Sequence, residues 1–238
     1  MDRLWPEGPA FFYDDTLFPP MTDTFLLAAF TRVRSGEKVC DLGAGVGLLG
    51  LLLTVRQKDL TLHNVEIQPE ALALSEKTMA ANGLAAVHHC ADLRVLGEAM
   101  PAGSFDLVVS NPPYFPQDSG PVPRSDALRL ARGEAGCTIA ELCAAAKRLL
   151  RWGGRLSLVY RPERLCDLLC AMRQAEIEPK RLRLVQNTPQ ATPSLLLCEG
   201  RRGGKPGMRI EPPLLLKDAG GEDSEELKTI YFRSRSGD

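Results

Sequence analysis

From residue 36 onward, short apolar runs of strand type alternate with longer runs of helical period, and that alternation leaves few folds open. EKVCDLG reads as a buried strand ending in a glycine turn, and GLLGLLLTV as the helix that follows. LTLHNVEI, AVHHCAD, SFDLVVSN and RLSLVYR read as the next four strands. PEALALSEKTMAANGL, IAELCAAAKRLLRWGG and PERLCDLLCAMRQAEI read as amphipathic helices, the first with Pro69 in its opening turn and Gly83 at its end, the second closed by glycines. KRLRLVQN and PSLLLCEG finish the series with no long helix between them. Strands alternating with helices imply right-handed crossovers and a mostly parallel sheet covered on both faces, and two adjacent final strands imply an antiparallel hairpin. The expected fold is therefore α/β: a mostly parallel, seven-stranded sheet, helices on both faces and a terminal antiparallel hairpin. Its expected division is an extension or lid over residues 1–35, the α/β domain over 36–200, and a basic loop with a C-terminal tail over 201–238.

At 238 residues, 44% hydrophobic and 25% charged, the chain has the composition of an ordinary globular protein. No apolar run approaches the roughly 18 residues a spanning helix needs, and the acidic, proline-containing start MDRLWPEGPAFFYDD is unlike an export signal. The seven cysteines are scattered without a CxxC pair, as befits reduced thiols, so the expected place of work is the cytoplasm and no metal is expected. Net charge is −1, but residues 147–209 carry 14 Lys and Arg against 5 Asp and Glu. That asymmetry suits either a polyanionic partner or arginine-rich solvated faces.

The first strand delivers Asp41-Leu42-Gly43-Ala44-Gly45-Val46-Gly47. Glycines at Gly43, Gly45 and Gly47 let the chain turn sharply and let a ligand approach the main chain. Gly45, Gly47 and Gly50 also spell a GxGxxG, so a dinucleotide has to be weighed. In either site a carboxylate at the end of the second strand, Glu66, can accept both ribose hydroxyls, and Asp92 after the third strand is placed for an adenine edge. Asp41 separates the two readings. A pyrophosphate on this loop would be repelled by it, whereas a sulfonium carrying an ammonium group would not, so S-adenosylmethionine fits the charge and NAD fits it poorly.

The fourth strand ends in Asn111-Pro112-Pro113-Tyr114. Two prolines give up two backbone donors and stiffen the exit from the strand. The order of these motifs resembles that of class I S-adenosylmethionine-dependent methyltransferases, with Rossmann-like architecture, over roughly residues 20–200. The resemblance implies cofactor contacts from Asp41, Gly43, Gly45, Gly47, Glu66, Ile67, Asp92, Leu93 and Asn111. It also implies methylation of a planar nitrogen: adenine N6, guanine N2 or a glutamine amide. Such a nitrogen is a poor nucleophile because its lone pair is delocalised. The Asn111 side-chain carbonyl and the Pro112 backbone carbonyl would accept its N–H groups and turn the lone pair toward the methyl group, held rigid by the prolines. Tyr114 would stack on a base taken out of its helix. No strong base is called for, so His63, His88 and His89 are expected to be structural or surface residues.

Further residues resemble the bacterial tRNA (adenine-N6)-methyltransferases that modify adenine 37 of a valine tRNA. These are Thr22 to Phe30 (TDTFLLAAF), Phe115 after the Asn-Pro-Pro-Tyr, Ala131-Arg132-Gly133-Glu134, and the tail EELKTIYF from Glu225 to Phe232. The resemblance implies an RNA partner, a tRNA, with Pro113, Phe115, Arg124, Arg129 and Arg132 meeting the flipped base and its phosphates and Arg201, Arg202 and Lys205 meeting the backbone further out. Two other acceptors stay open: guanine N2 of ribosomal RNA, and a release-factor glutamine, whose enzymes usually carry a longer N-terminal helical domain than 35 residues allow. From another class, a cofactor- or RNA-binding protein without catalysis remains an alternative that a degraded Asn-Pro-Pro-Tyr would have favoured.

Overall fold

The computed structural model describes residues 1–14, 22–112 and 137–231. Strands β3 (Lys38–Leu42), β4 (Thr61–Glu66), β5 (Ala86–Cys90), β6 (Phe105–Ser110) and β7 (Leu150–Tyr160) pair in parallel in the order β5-β4-β3-β6-β7. Strand β9 (Leu195–Arg202) then inserts antiparallel between β7 and β8 (Ile177–Gln186). The two-residue strands β10 (Arg209–Ile210) and β11 (Leu214–Leu215) add to β8, making nine, and β1 (Asp2–Arg3) with β2 (Ala10–Phe11) forms a separate ribbon.

The central strands are buried because both faces are covered. One core packs α1 (Thr22–Phe30) and α2 (Leu48–Arg56) on the sheet, with Phe11 of β2 inserted; the other is built with α4 (Ile139–Leu149) and α5 (Leu165–Gln174). This explains the near-continuous apolar reading of KVCDL and FDLVVS, which alternation would not give. Helix α3 (Pro69–Ala81) begins with proline in its first turn, and its C-cap Asn82 holds β2 through Ala10 N–H at 2.9 Å and Ala10 C=O at 2.7 Å. Helix α4 starts on a reciprocal capping box, Thr138 with Glu141.

Three boundaries differ from the sequence reading. IAELCAAAKRLLRWGG is not helical throughout: α4 stops at Leu149, and Leu150, at φ −65°, ψ 136°, opens β7 opposite Phe105. Leu149 and Leu150 are both fully buried, and Arg151 Nε reaches Asp106 on the neighbouring strand at 2.6 Å, so extending the sheet outweighs prolonging the helix. Gly153, at φ +79°, sits within the strand rather than closing the helix. Strand β8 starts before KRLRLVQN and takes in Pro179, where the missing N–H coincides with a register shift. The loop expected from residue 201 begins later: Arg201 and Arg202 end β9, Arg202 donates to Leu150 C=O, and Lys180 Nζ holds the carbonyls of Lys205 (2.9 Å) and Gly207 (2.5 Å). The acidic tail packs too, as α6 (Glu225–Ile230), with Leu227 buried and Tyr231 against Phe25 at 4.8 Å between ring centres.

Candidate active site

In an open α/β sheet a ligand binds beyond the carboxyl ends of the strands, where the strand order reverses. Here the reversal falls between β3 and β6. The glycine loop leaves β3 at that point and Asn111-Pro112 leaves β6 beside it. The two exits are latched by Ser110 Oγ donating to Leu42 C=O at 2.7 Å. The loop is latched on its other side to the end of β4, with Gly43 and Ala44 N–H both donating to Val65 C=O at 2.9 Å.

Glu66 organises the loop. Its carboxylate accepts Gly45 N–H (2.8 Å), Ile67 N–H (2.9 Å) and Gln68 N–H (3.0 Å) and is 8% exposed. Gly47, at φ +81°, could not carry a side chain: a Cβ would lie 2.1 Å from Ser75 Oγ. At Gly43 and Gly45 the reverse holds, since a Cβ would meet nothing within 4 Å, leaving open space along the loop.

Asp41 is 1% exposed, and its Oδ2 accepts Gly50 N–H in the first turn of α2 at 3.2 Å. Burial, with Glu66 nearby adding to it and the Gly50 hydrogen bond opposing, pushes its carboxyl up to about 7. Among the described residues neither Asp41 nor Glu66 forms an ion pair with Lys or Arg. Beyond the end of β5, Asp92 accepts a double hydrogen bond from Arg94 (Nε 3.0 Å, Nη2 2.6 Å), which holds its carboxyl below the usual range. Ile67 is exposed, whereas Leu93 is partly buried against the second core.

This donor and acceptor set fits S-adenosylmethionine. The loop offers open space, carboxylates without a cation, and an exposed isoleucine for a base. A pyrophosphate would need the N-terminus of α2, and there Asp41 already occupies the Gly50 N–H.

Asn111 is half-buried, and its Nδ2 donates to Thr24 Oγ1 of α1 at 2.9 Å. Pro112 follows it, buried. Pro113, Tyr114, Phe115, Arg124, Arg129, Arg132 and the Ala131–Glu134 stretch lie outside the described residues. The structure therefore brings together Asp41, Gly43, Gly45, Gly47, Glu66, Ile67 and Asn111 at the switch point. Arg201, Arg202 and Lys205 belong to the far end of the sheet, where Arg201 Nε bonds Gly153 C=O at 3.1 Å. The histidines make polar links: His63 Nδ1 of β4 lies 2.9 Å from His89 Nε2 of β5, His88 Nε2 of β5 lies 3.1 Å from Ser75 Oγ of α3, and burial pulls His63 down to about 4.

Sequence reasoning missed Thr24, Ser110 and Arg94. For Thr24 there was one signal, a hydroxyl set directly before the apolar run FLLAAF.

The family model for the methyltransferase small domain matches residues 21–174. A tRNA1(Val) (adenine(37)-N6)-methyltransferase of Pseudoalteromonas translucida is 32% identical over 139 residues, 58% of this chain and 58% of that protein. A release factor glutamine methyltransferase of Deinococcus radiodurans is 34% identical over 175 residues, 67% of this chain and 60% of that protein. In both, the match spans less than two thirds of the relative's length. Among solved structures, a predicted O-methyltransferase of Agrobacterium tumefaciens superposes with a TM-score of 0.73 at 19% identity, over 89% of this chain and 96% of that one, and supports the fold.

Proposed function

The chain belongs to the methyltransferase small domain family, and from that premise we propose that it methylates the exocyclic N6 of adenine in a tRNA. Its cofactor is S-adenosylmethionine, which supplies an electrophilic methyl group on a sulfonium. The observation that carries the reading is the place of Asn111 and Pro112: they leave β6 at the switch point, one latch away from the glycine loop. Several relatives named tRNA1(Val) (adenine(37)-N6)-methyltransferase support adenine as the acceptor, and the one named for release-factor glutamine makes that amide the competing acceptor.

In this reading Glu66 accepts the ribose hydroxyls, and Ile67 and Asp92 flank the cofactor's adenine. Asp41 would supply negative charge to the sulfonium and its ammonium group. The Asn111 and Pro112 carbonyls would accept the two N–H groups of the acceptor nitrogen, so the nitrogen pyramidalises and its lone pair leaves conjugation with the ring and points at the methyl carbon. The new C–N bond forms as the S–C bond breaks, and the electron pair of that bond stays on sulfur. The nitrogen becomes cationic and acidic and gives its proton to water, so the residues need only position and accept. Tyr114, Pro113 and Phe115 would hold the extruded base, Arg124 and Arg132 its phosphates. Residues 1–35 act as the extension to the 36–200 catalytic domain, 201–238 as its C-terminal appendage, and the place of work is the cytoplasm, where tRNA is found.

The test is transfer of labelled methyl from S-adenosylmethionine to total unmodified tRNA, with release factor as a parallel acceptor, followed by nucleoside analysis. Label in N6-methyladenosine is expected. Label in release-factor glutamine or N2-methylguanosine would overturn the acceptor while leaving the chemistry intact.

A further inference from the structure

A side-chain amide has two unlike ends: a carbonyl that only accepts and an NH2 that only donates. Turning it by half a rotation costs little in an unrestrained asparagine, because that torsion is broad and roughly two-fold. At Asn111 the orientation decides whether the site can work. An acceptor nitrogen arrives carrying N–H donors, and the carbonyl would receive them while the NH2 would oppose them. In the structure the NH2 end is committed, Nδ2 to Thr24 Oγ1 at 2.9 Å, across 87 residues of sequence, and Thr24 is buried.

The helix that carries Thr24 is held at its other end. Arg56 donates to Ala28 C=O and, at 3.1 Å, to Thr31 C=O; Arg155 Nη1 donates to Arg32 C=O at 2.7 Å. Arg181 lies over the Phe30 ring, 4.2 Å from its centre, with both terminal nitrogens near Phe30 C=O. Thr31 Oγ1 bonds Ser157 Oγ of β7 at 2.9 Å. Three guanidinium groups thus meet the carbonyl end of α1, where partners are missing and the helix dipole favours positive charge. With one end fixed in this way, the Thr24 hydroxyl is a fixed point; a hydroxyl can meet either end of an amide, and here it accepts from Nδ2, which turns Oδ1 the other way.

We propose that Thr24 is a positioning residue whose hydroxyl holds the Asn111 amide nitrogen away from the acceptor, so that the Asn111 carbonyl receives the N–H of the nitrogen being methylated. The proposal rests on the role assigned to Asn111 above, and the test separates the two. Thr24→Val keeps the shape and removes the hydroxyl; Thr24→Ser keeps the hydroxyl. Both are assayed with total unmodified tRNA and S-adenosylmethionine, with S-adenosylhomocysteine binding measured by calorimetry and folding by thermal melting. Thr24→Ala replaces the valine variant if the latter does not fold. The valine variant is expected to lose about tenfold in kcat with KM for S-adenosylmethionine unchanged, and the serine variant to stay within about threefold of the parent. Parental turnover in Thr24→Val overturns the proposal. So does an equal loss in Thr24→Ser, or a loss that appears as weaker cofactor binding with kcat intact. Parental turnover in Asn111→Ala would instead remove the carbonyl clamp itself.

Discussion

Two groups of buried or half-buried carboxylates border the same sheet, and they are satisfied in opposite ways. On the far side, Glu37 takes both oxygens to Arg155 Nη2 (2.7 and 2.8 Å), Glu199 lies between Arg155 and Arg181 (3.5 and 3.3 Å), and Glu211 receives Arg181 Nε at 2.9 Å. At the switch point, Asp41 and Glu66 are equally buried but meet backbone N–H groups. The first group is electrically closed and does mechanical work, because its arginines also grip the end of α1. The second has no cation partner among the described residues and faces open space. Burying an ion pair is compatible with a scaffold, whereas burying a carboxylate without a cation is costly unless a cation arrives. The difference therefore separates scaffold from site more sharply than burial alone.

The largest expected effect is on the closed group. Arg181→Ala leaves Glu199 and Glu211 without their main partner and should cost about 3–5 kcal/mol in urea unfolding. A loss under about 1 kcal/mol would mean that the network is dispensable. At the open group the effect is stabilising and depends on pH. The Asp41 carboxyl in the folded chain, at about 7, lies above its ordinary 3.8, so the folded state holds the proton more tightly. Its contribution is fully present below about pH 4 and is lost as pH rises to 7. Asp41→Asn should be more stable than the parent at pH 8, by roughly 4 kcal/mol, and level with it near pH 4. Equal pH profiles would show that Asp41 is ordinarily ionised in the cofactor-free protein.

A smaller effect falls on binding. Glu66→Ala removes a charge-assisted acceptor from the ribose and should weaken S-adenosylmethionine by about 1.5–3 kcal/mol in calorimetry. Unchanged affinity would place the ribose elsewhere. Smallest of all is Arg94→Ala: its pair with Asp92 is exposed to solvent, with side-chain accessibilities of 39% and 27%, and solvent screens such pairs to a small contribution. Affinity should change by about fivefold or less, and a larger loss would make Arg94 a ligand in its own right.

Much of this was legible in the sequence, and the parts that were not have a common cause. The strand–helix alternation, the glycine loop and Glu66 at the end of β4 are local patterns, each readable within a dozen residues. What escaped depends on partners far along the chain. RLLRWGG looks like a helix ending on a glycine cap until Asp106 and Phe105 are set beside it. The basic residues Arg155, Arg181, Arg201 and Arg202 look like a surface for a polyanion. In the fold they are spent on carboxylates and carbonyl groups up to 151 residues away. Thr24 joined Asn111 only through the fold, although its hydroxyl in an apolar helix was in plain view.

The most direct measurement is a structure of the protein with S-adenosylhomocysteine bound. The account predicts the ribose hydroxyls within hydrogen-bonding distance of the Glu66 carboxylate. It also predicts the sulfur and ammonium group over the loop at Gly43 and Gly45, and Asn111 Nδ2 still on Thr24. A cofactor lying away from that loop, or one whose ribose leaves Glu66 untouched, would contradict the claim that the carboxylates without cations mark the site.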